Sequence, residues 1–299
     1  MHRPCAASTP YRGRAAETAI EPPQDADAVG YGLSVRREPL DAVLARRAAS
    51  SPRVTLRERA RLVGLLRERG RVVGARLALP RPEGEVAVRA RLVVGADGRH
   101  SAVARAVEVP VATSDPLARA MYYRYVRDLA GPSGDALDGA EFSRLGDEVA
   151  YVFPSDGGTA CVALSLNLAA FAWARAAREG QFDALLARHL GLAGRVVAAT
   201  SAGPLLGCGP EASYVRVPVG PGWALVGDAG LHQDPWSGRG IDMAAVHATF
   251  LAESLGLWLG GGLSEGEALA AYRARRDAHA LDMYRRTVTL ARDLSPLSA

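Results

Sequence analysis

The sequence predicts an α/β fold in which an antiparallel sheet is inserted between two parts of a ligand-binding domain. Two short apolar runs, residues 92–94 and 222–226, are typical of buried parallel strands, because neither alternates apolar with polar residues. Each run ends in a turn with glycine and aspartate, and a helical pattern follows. Between them, aromatic and β-branched segments within residues 115–166 indicate antiparallel strands.

Composition limits the classes of protein to which the chain can belong. Its 299 residues are enough for one large or two ordinary domains, and a hydrophobic content of 48% fits a globular enzyme. All 36 basic residues are arginine, but Asp and Glu accompany them throughout, so no basic stripe for nucleic acid is present. We therefore expect a small-molecule substrate and no nucleic-acid partner. The sequence does not indicate an oligomeric state.

Cysteine spacing and hydropathy indicate the cellular compartment, and whether the chain has a metal site or a membrane span. Cys5, Cys161 and Cys208 are far apart and odd in number, which argues against a zinc site and against a disulfide framework. A reducing cytoplasm is the expected compartment. No apolar run reaches the roughly 18 residues of a membrane span. The N-terminal arginines lack the apolar core of a secretory signal, so we expect neither a metal nor a membrane partner.

The first third of the chain is predicted to be mostly strand. Residues 1–30 are rich in Pro, Ala, Arg and Gln without any period, which predicts a loop or a disordered arm. A short strand at residues 32–35 and a helix opening at Pro39 follow. Residues 53–95 then predict a meander of short strands separated by Arg-Gly and Pro-Glu-Gly turns. The predicted strands of this meander are residues 54–56, 62–66, 72–79, 85–88 and 92–94.

The middle of the chain is predicted to form the inserted sheet and its helical cover. Ser101 is placed to cap a short helix over residues 102–107. Residues 168–190 predict a helix, and residues 195–217 an irregular or strand-like stretch. The strand candidates of the inserted sheet are residues 120–126, 149–153 and 160–166.

The last third is predicted to be a strand, a loop and two helices. A long helix begins at Gly240 and ends at the glycines of residues 260–262. Ser264 and Glu267 form a capping box that starts a final helix to about residue 290. The residues predicted to be buried by the long helix are Ile241, Ala244, Ala245, Ala248, Leu251 and Leu255.

Two motifs in this chain are recognisable together. The segment GADGRHSAVAR at residues 95–105 resembles the second, Asp-Gly fingerprint of the FAD-dependent monooxygenases of the para-hydroxybenzoate hydroxylase fold. The segment GDAGLHQDPWSGRG at residues 227–240 is similar to the third fingerprint of that superfamily. The segment VRREPLDAVL at residues 35–44 resembles the one whose arginine reaches the flavin phosphates. Two fingerprints in the expected order, about 130 residues apart, are more specific than either alone.

This resemblance implies a role for each matching residue in the third fingerprint. Asp228 would bind the ribityl chain of FAD. The backbone around Gly227, Pro235, Gly238 and Gly240 would lie near the isoalloxazine and the pyrophosphate, where the helix dipole favours an anion.

The resemblance implies roles for three further residues outside the third fingerprint. Arg37 would bind the flavin phosphates, Asp97 would organise the loop used for the cofactor, and the backbone of Leu62 would meet the adenine. His232 is a candidate for proton transfer near neutral pH, with an ordinary loop position as the alternative. The resemblance also implies NAD(P)H as the electron donor.

The sequence departs from the family pattern most clearly at the first fingerprint. The first fingerprint, a strand–GxGxxG–helix unit, should lie before residue 30 and is not found there. The look-alike GCGPEA at residues 207–212 is followed by a strand-like run and not by a helix, so we expect it to bind no dinucleotide. The lysine and the Trp-x-Trp-x-Ile-Pro motif of flavin halogenases are also missing, which disfavours halogenation.

Together these observations predict a Rossmann-like FAD-binding domain with an incomplete first βαβ unit. We expect its two parts at residues 1–107 and 200–299, and a substrate-binding sheet at residues 108–199. The expected function is that of an NAD(P)H-dependent monooxygenase in bacterial biosynthesis, acting on an aromatic or polyketide-like molecule. Two alternatives stay open: a non-redox cyclase or isomerase on a flavoprotein scaffold, and a truncated, non-catalytic remnant.

Overall fold

The computed structural model describes residues 5–6, 31–32 and 34–294, apart from residues 117, 132, 138 and 175–177. The predicted α/β class is confirmed, with several antiparallel sheets and one parallel strand pair. The prediction for residues 1–30 lies outside the described residues, except for residues 5–6. Among the described helices, none combines the length and the apolar character that crossing a membrane requires.

Strands and helices alternate irregularly along the chain. The strands are β1 (Cys5–Ala6), β2 (Tyr31–Gly32), β3 (Arg61–Glu68), β4 (Arg71–Ala78), β5 (Glu85–Arg89), β6 (Val93–Gly95), β7 (Val111–Asp115), β8 (Arg119–Arg127), β9 (Glu141–Leu145), β10 (Glu148–Pro154), β11 (Thr159–Asn167), β12 (Thr200–Ser201), β13 (Leu206–Cys208), β14 (Ser213–Arg216), β15 (Val219–Gly220), β16 (Trp223–Leu225) and β17 (Leu231–His232). The helices are α1 (Arg37–Ala49), α2 (Ala102–Ala106), α3 (Leu168–Ala174), α4 (Arg178–Ala187), α5 (Leu190–Ala198), α6 (Gly240–Leu259) and α7 (Glu265–Arg292).

Two compact units make up the chain. The unit that we call the sheet unit comprises Met1–Leu56, Ala118–Pro210 and Leu290–Ala299. The fingerprint unit comprises Arg57–Leu117 and Glu211–Thr289. Helix α1 therefore groups with the large sheet, whereas the prediction placed it with the first FAD-binding part. Compactness does not by itself assign a function to a segment, so the predicted domain limits stay a prediction.

The sheet unit is organised by one antiparallel sheet with the strand order β12-β8-β11-β10-β9, in which β13 also pairs with β8. Side chains alternate between its two faces. One face buries Val126, Val162 and Leu164 against Phe182 and Leu186 of α4. The other face carries five aromatic rings, which are Tyr123, Tyr125, Phe142, Tyr151 and Phe153.

The fingerprint unit contains three small sheets. Strands β3, β4 and β5 form an antiparallel meander, and β7, β14 and β17 form a second antiparallel sheet. In the third, β6 pairs in parallel with β16, which confirms the prediction for residues 92–94. Leu225 and Val103 belong to the buried cluster around this parallel pair.

Several local predictions are wrong, and each has a physical reason. Residues 54–56 form no strand, and Val54 and Leu56 stay exposed, since an apolar run becomes a strand only where a partner pairs with it. Residues 168–174 and 178–187 are helical as predicted, but α4 ends at Ala187 and not at residue 190, because His189, with φ −86° and ψ 80°, leaves the helical region before a separate α5. Strand β2 ends at Gly32, so the strand predicted at residues 32–35 is shifted.

Helix α6 buries a different face from the predicted one. Its buried residues are Met243, His247, Leu251 and Ser254. Ile241, Ala245 and Ala248 are exposed, so only Leu251 of the predicted set is fully buried. A helix that is apolar on nearly every side has no periodicity that selects one face. The predicted capping box of α7 is confirmed, because Glu267 accepts from the Ser264 N–H at 2.8 Å and Ser264 Oγ accepts from the Glu267 N–H at 3.3 Å.

Candidate functional site

The two fingerprint segments begin where β6 and β16 end. Val94 pairs with Ala224 and Gly95 with Leu225, so the strands run in register up to both turns. The N–H of Val226 extends the pairing by donating to the carbonyl of Gly95 at 2.9 Å. Ligands of α/β folds bind outside the carboxyl ends of parallel strands. The parallel pair therefore places the second and third fingerprints side by side at such an edge.

Asp97 organises the second fingerprint. Its carboxylate accepts from the hydroxyl of Ser101 at 2.5 Å and from the backbone N–H groups of Ala102 and Val103 at 2.6 and 3.2 Å. Ser101 in turn accepts from the N–H of Ala104 at 2.9 Å, as predicted for a helix cap. These bonds use both carboxylate oxygens to fix the turn and the start of α2. Asp97 is thus placed to shape the loop.

Gly227 and Asp228 form a tight turn directly after β16. Gly227 has φ +56°, and a Cβ there would lie 3.1 Å from the Cβ of Ala244, so both backbone conformation and space favour glycine. The Asp228 side chain is 38% exposed. Its carboxylate accepts no hydrogen bond from another described residue, which leaves it available to a polyol.

Tyr214, which no sequence motif marks, joins the two fingerprints. Its hydroxyl lies 2.9 Å from the carbonyl oxygen of Arg99 and 2.7 Å from that of Asp228. The guanidinium of Arg216 stacks over the Tyr214 ring at 4.1 Å and donates to the carbonyl of Ala229 at 2.9 Å. No motif in the sequence marks Tyr214. Its contacts become visible only in the folded chain, where β14 pairs with β17 beside the third fingerprint.

The loop before α6 offers an exposed backbone. Asp234 accepts from the N–H of Trp236 at 3.1 Å and starts a short 3-10 turn at Pro235. Gly238 follows in the left-handed region with φ +67°, where glycine is favoured. A Cβ at Gly238 or Gly240 would meet no described atom within 4 Å. The N-terminus of the 20-residue helix α6 is therefore accessible, with N–H groups suited to an anion.

His232 is buried beside Asp228. Its side chain is 9% exposed, and β17 pairs it with Tyr214 of β14. Nδ1 lies 3.4 Å from Oδ2 of Asp228, but the two atoms are not aligned as a hydrogen bond, and Nδ1 has no other partner in the described chain. The proposed proton-transfer role of His232 stays a prediction.

His247 lies on the buried face of α6. Burial, together with the charges of Arg276 and His279, lowers the pKa of His247 to about 4, against a smaller opposing influence of Asp228. Its Nε2 is buried without a hydrogen-bond partner among the described residues. The imidazole is therefore neutral at physiological pH and serves packing.

The other two predicted cofactor residues lie on separate elements. Arg37 begins α1 in the sheet unit, where its side chain is 68% exposed and pairs with Asp41 at 3.0 Å. Its neighbour Arg36 is held instead by Asp156 at 2.8 Å, and this contact lowers the pKa of that carboxyl to about 2. Leu62 lies in β3, the edge strand of the meander, opposite Leu77. An edge strand leaves backbone groups available to a partner.

The residues of the fingerprint unit fit part of an FAD site. The exposed carboxylate of Asp228 follows β16, and the accessible N-terminus of α6 follows the loop. Gly238 and Gly240 leave open space beside that N-terminus. The loop also holds polar atoms that lack partners among the described residues, namely His232 Nδ1 and both amide atoms of Gln233. The segment GCGPEA lies in β13 and the loop before β14, so a strand follows it and not a helix, as predicted.

Comparison with known proteins agrees with this geometry. The family model described as FAD binding domain matches residues 26–139. The digeranylgeranylglycerophospholipid reductase of Thermoplasma volcanium is 29% identical over 227 residues, which are 74% of this chain and 54% of that protein. The chain thus spans about half the length of the curated relatives it matches.

Solved structures share the fold. The myxobacterial chondrochloren halogenase CndH, an FAD-dependent halogenase, superposes with a TM-score of 0.79 at 21% identity, covering 94% of this chain and 67% of that one. The p-nitrophenol 4-monooxygenase of Pseudomonas putida superposes with a TM-score of 0.71 at 20% identity, covering 89% and 65%. This chain therefore has the fold of these FAD-dependent halogenase and monooxygenase structures, and its residues 26–139 match the family model of an FAD-binding domain.

Proposed function

We propose that the chain binds FAD at the carboxyl ends of β6 and β16 and acts as a flavin-dependent monooxygenase on a small aromatic or polyketide-like molecule. The observation that supports this most is the parallel pairing of Val94 with Ala224, which sets the Asp-Gly and Gly-Asp turns beside each other. NAD(P)H is the proposed electron donor. The cytoplasmic location and the role in bacterial biosynthesis stay predictions.

Each part of the site has a distinct task in this proposal. Asp228 accepts hydrogen bonds from the ribityl hydroxyls, and the backbone N–H groups from Gly238 into α6 bind the pyrophosphate. Arg37 binds the flavin phosphates, and the exposed edge at Leu62 meets the adenine. When bound, FAD supplies the redox chemistry, and the protein supplies binding, orientation and a dry pocket.

The aromatic face of the sheet unit is the proposed substrate surface. Phe142 contacts Tyr151 and Phe153 edge to face, each at 5.5 Å between ring centroids. Burial, and secondarily the nearby Cys161, raises the pKa of both Tyr123 and Tyr125, so these phenols stay neutral at physiological pH. Neutral tyrosines among phenylalanines favour a flat, weakly polar ligand that needs only a few hydrogen bonds.

A second candidate function is reduction of a carbon–carbon double bond in an apolar chain. It is supported by the similarity to the Thermoplasma reductase, which extends over about three quarters of this chain. The aromatic face also accepts an apolar chain, because burial of carbon surface is not specific for ring shape. The two candidates differ in the mass that each reaction adds to its substrate.

A spectrum followed by product analysis tests the proposal. We expect the purified, FAD-reconstituted chain to show flavin absorption bands that NAD(P)H bleaches. With an aromatic substrate in air, a monooxygenase gives a product that is one oxygen atom heavier than the substrate. With an unsaturated apolar chain, a reductase gives a product that is two hydrogen atoms heavier. A folded chain that retains no flavin absorption after incubation with excess FAD and removal of the free FAD by gel filtration would contradict FAD binding and favour the non-redox scaffold alternative.

A further inference from the structure

Three consecutive carbonyl groups of the third fingerprint are contacted by donors from β14. The carbonyl oxygen of Asp228 lies 2.7 Å from the hydroxyl of Tyr214. The carbonyl of Ala229 accepts from the guanidinium of Arg216 at 2.9 Å, and the carbonyl of Gly230 accepts from the backbone N–H of Arg216 at 2.8 Å. Residues outside the turn therefore set the orientation of its peptide groups.

Arg276 of α7 ties the same turn to β14. The residue is only 2% exposed, and its guanidinium donates to the carbonyls of Gly230 at 3.4 Å and of Arg216 at 3.1 Å. Asp277 lies 2.6 Å from this guanidinium and compensates its charge. A single buried arginine thus holds the turn and the strand that faces it, so the two cannot shift independently.

The charge of Arg216 has no such compensation. Its guanidinium forms no ion pair with a carboxylate of the described residues, and it stacks over the ring of Tyr214 at 4.1 Å. A charged donor makes a stronger hydrogen bond than a neutral one. A planar guanidinium can also stack and donate at the same time, which an ammonium group cannot. Arg216 is therefore a firm anchor for the carbonyl of Ala229, directly after Asp228.

The direction of the Asp228 carboxylate depends on these anchors. Because peptide groups are planar, fixing the carbonyls of Asp228 and Ala229 fixes the two peptide planes that follow the Asp228 Cα. The side chain that projects from this backbone is 38% exposed, so a ligand can reach it. An acceptor whose backbone is already held loses less conformational entropy when it binds a ligand.

We propose that Arg216 is a positioning residue, which orients the Asp228 carboxylate towards the ribityl hydroxyls of FAD by holding the carbonyl of Ala229. This inference rests on the proposed function. It gives Arg216 no direct contact with the cofactor. The contribution of Arg216 to FAD affinity is therefore expected to disappear when the Asp228 carboxylate is removed.

A double-mutant cycle tests this dependence. We expect Arg216→Met, which keeps the aliphatic stem but removes the charge and the donors, to raise the FAD dissociation constant about fivefold. In the Asp228→Ala background the same substitution should leave the dissociation constant unchanged, because no carboxylate is left to orient. Arg216→Lys keeps the charge and a donor, so it should weaken FAD binding less than Arg216→Met does. If the methionine variant does not fold, the lysine variant carries the same cycle.

Arg91→Met is the matched control. Arg91 belongs to the same unit and also stacks over an aromatic ring, that of Trp258 at 4.9 Å, but within the described chain it donates to neither fingerprint. Its substitution should leave FAD affinity unchanged. Natural FAD affinity in Arg216→Met, or a loss of affinity that persists in full in the Asp228→Ala background, would overturn the inference. Failure of the natural chain to bind FAD at all would instead refute the proposed function.

Discussion

The hydroxyl of Tyr214 lies 2.7 Å from the carbonyl oxygen of Asp228, and the same hydroxyl lies 2.9 Å from the carbonyl oxygen of Arg99. One side chain of β14 thus links the turn that follows β16 to the loop that follows β6. Burial is the main cause that raises the pKa of Tyr214, so the phenol keeps its proton and can donate it. The hydroxyl thus adds a second link between the two fingerprints to the one that the strand pairing makes.

Removing that hydroxyl tests the link. Tyr214→Phe should lower the unfolding free energy by about 1 kcal/mol and the melting temperature by roughly 2–4 °C. It should also weaken FAD binding severalfold, because the turns lose their common donor. Thermal unfolding and FAD titration measure both effects. Tyr125→Phe is the control, since the Tyr125 hydroxyl makes no hydrogen bond to another described residue. Unchanged stability and affinity in Tyr214→Phe would show that the strand pairing alone positions the turns.

Asp228 should matter for the cofactor and little for the fold. Its carboxylate is partly exposed and accepts no hydrogen bond within the described chain, so Asp228→Ala should keep the melting temperature of the FAD-free chain within about 2 °C. A charge-assisted hydrogen bond to a ribityl hydroxyl is lost, and the FAD dissociation constant should rise about tenfold or more. Calorimetric titration measures this, with the exposed Asp282→Ala as control. If Asp228→Ala binds FAD as tightly as Asp282→Ala does, Asp228 does not contact the flavin.

Substitution of Arg36 and of Arg37, the two adjacent arginines at the start of α1, should have opposite effects on stability and on FAD binding. Arg36 is bound to Asp156, whose side chain is only 7% exposed, whereas the exposed Arg37 pairs with the exposed Asp41. Arg36→Gln leaves the Asp156 carboxylate without its cation and should clearly lower stability in urea unfolding. Arg37→Gln should leave unfolding unchanged, because an exposed ion pair contributes little, but should weaken FAD binding severalfold. If both variants bind FAD as tightly as the natural chain does, this segment makes no contact with the flavin phosphates.

His247 should make stability depend on pH. Its pKa falls from 6.5 to about 4 on folding, so the unfolded chain binds a proton in this range that the native chain does not. The stability contributed by the neutral imidazole is fully present above pH 6.5 and is lost as the pH falls towards 4. His247→Gln should lack this slope, which reaches about 1.4 kcal/mol per pH unit for one proton. Urea unfolding at several pH values measures it, and the exposed His100→Gln is the control. Parallel pH profiles for His247→Gln and the natural chain would contradict the assignment.

Local sequence patterns predicted the elements that flank the site. The apolar run at residues 92–94 has the composition of a buried parallel strand, and Ser101 and Ser264 have the chemistry of helix caps; the structure confirms all three. Capping is local, because it is decided by residues within one helical turn. A continuous apolar run is in turn typical of a strand that is buried on both faces, although its partner strand lies far away in the sequence.

Contacts between distant segments could not be predicted in the same way. Tyr214 reaches Arg99 over 115 positions of the chain, and no spacing rule connects them. The buried face of α6 was misjudged because alanines occupy several faces, and only packing against neighbouring elements selects Met243 and His247. Gln233 looks like an ordinary loop residue in the sequence, and only the packing of the structure shows that it is buried.

Equilibrium binding of FAD to the purified chain and to Asp228→Ala tests the central claim most directly. The claim is that the adjacent carboxyl ends of β6 and β16 hold the flavin. We predict one FAD per natural chain and a dissociation constant at least about tenfold higher for Asp228→Ala at equal thermal stability. A natural chain that is folded but binds no FAD, or one that binds it equally well without the Asp228 carboxylate, would contradict the account.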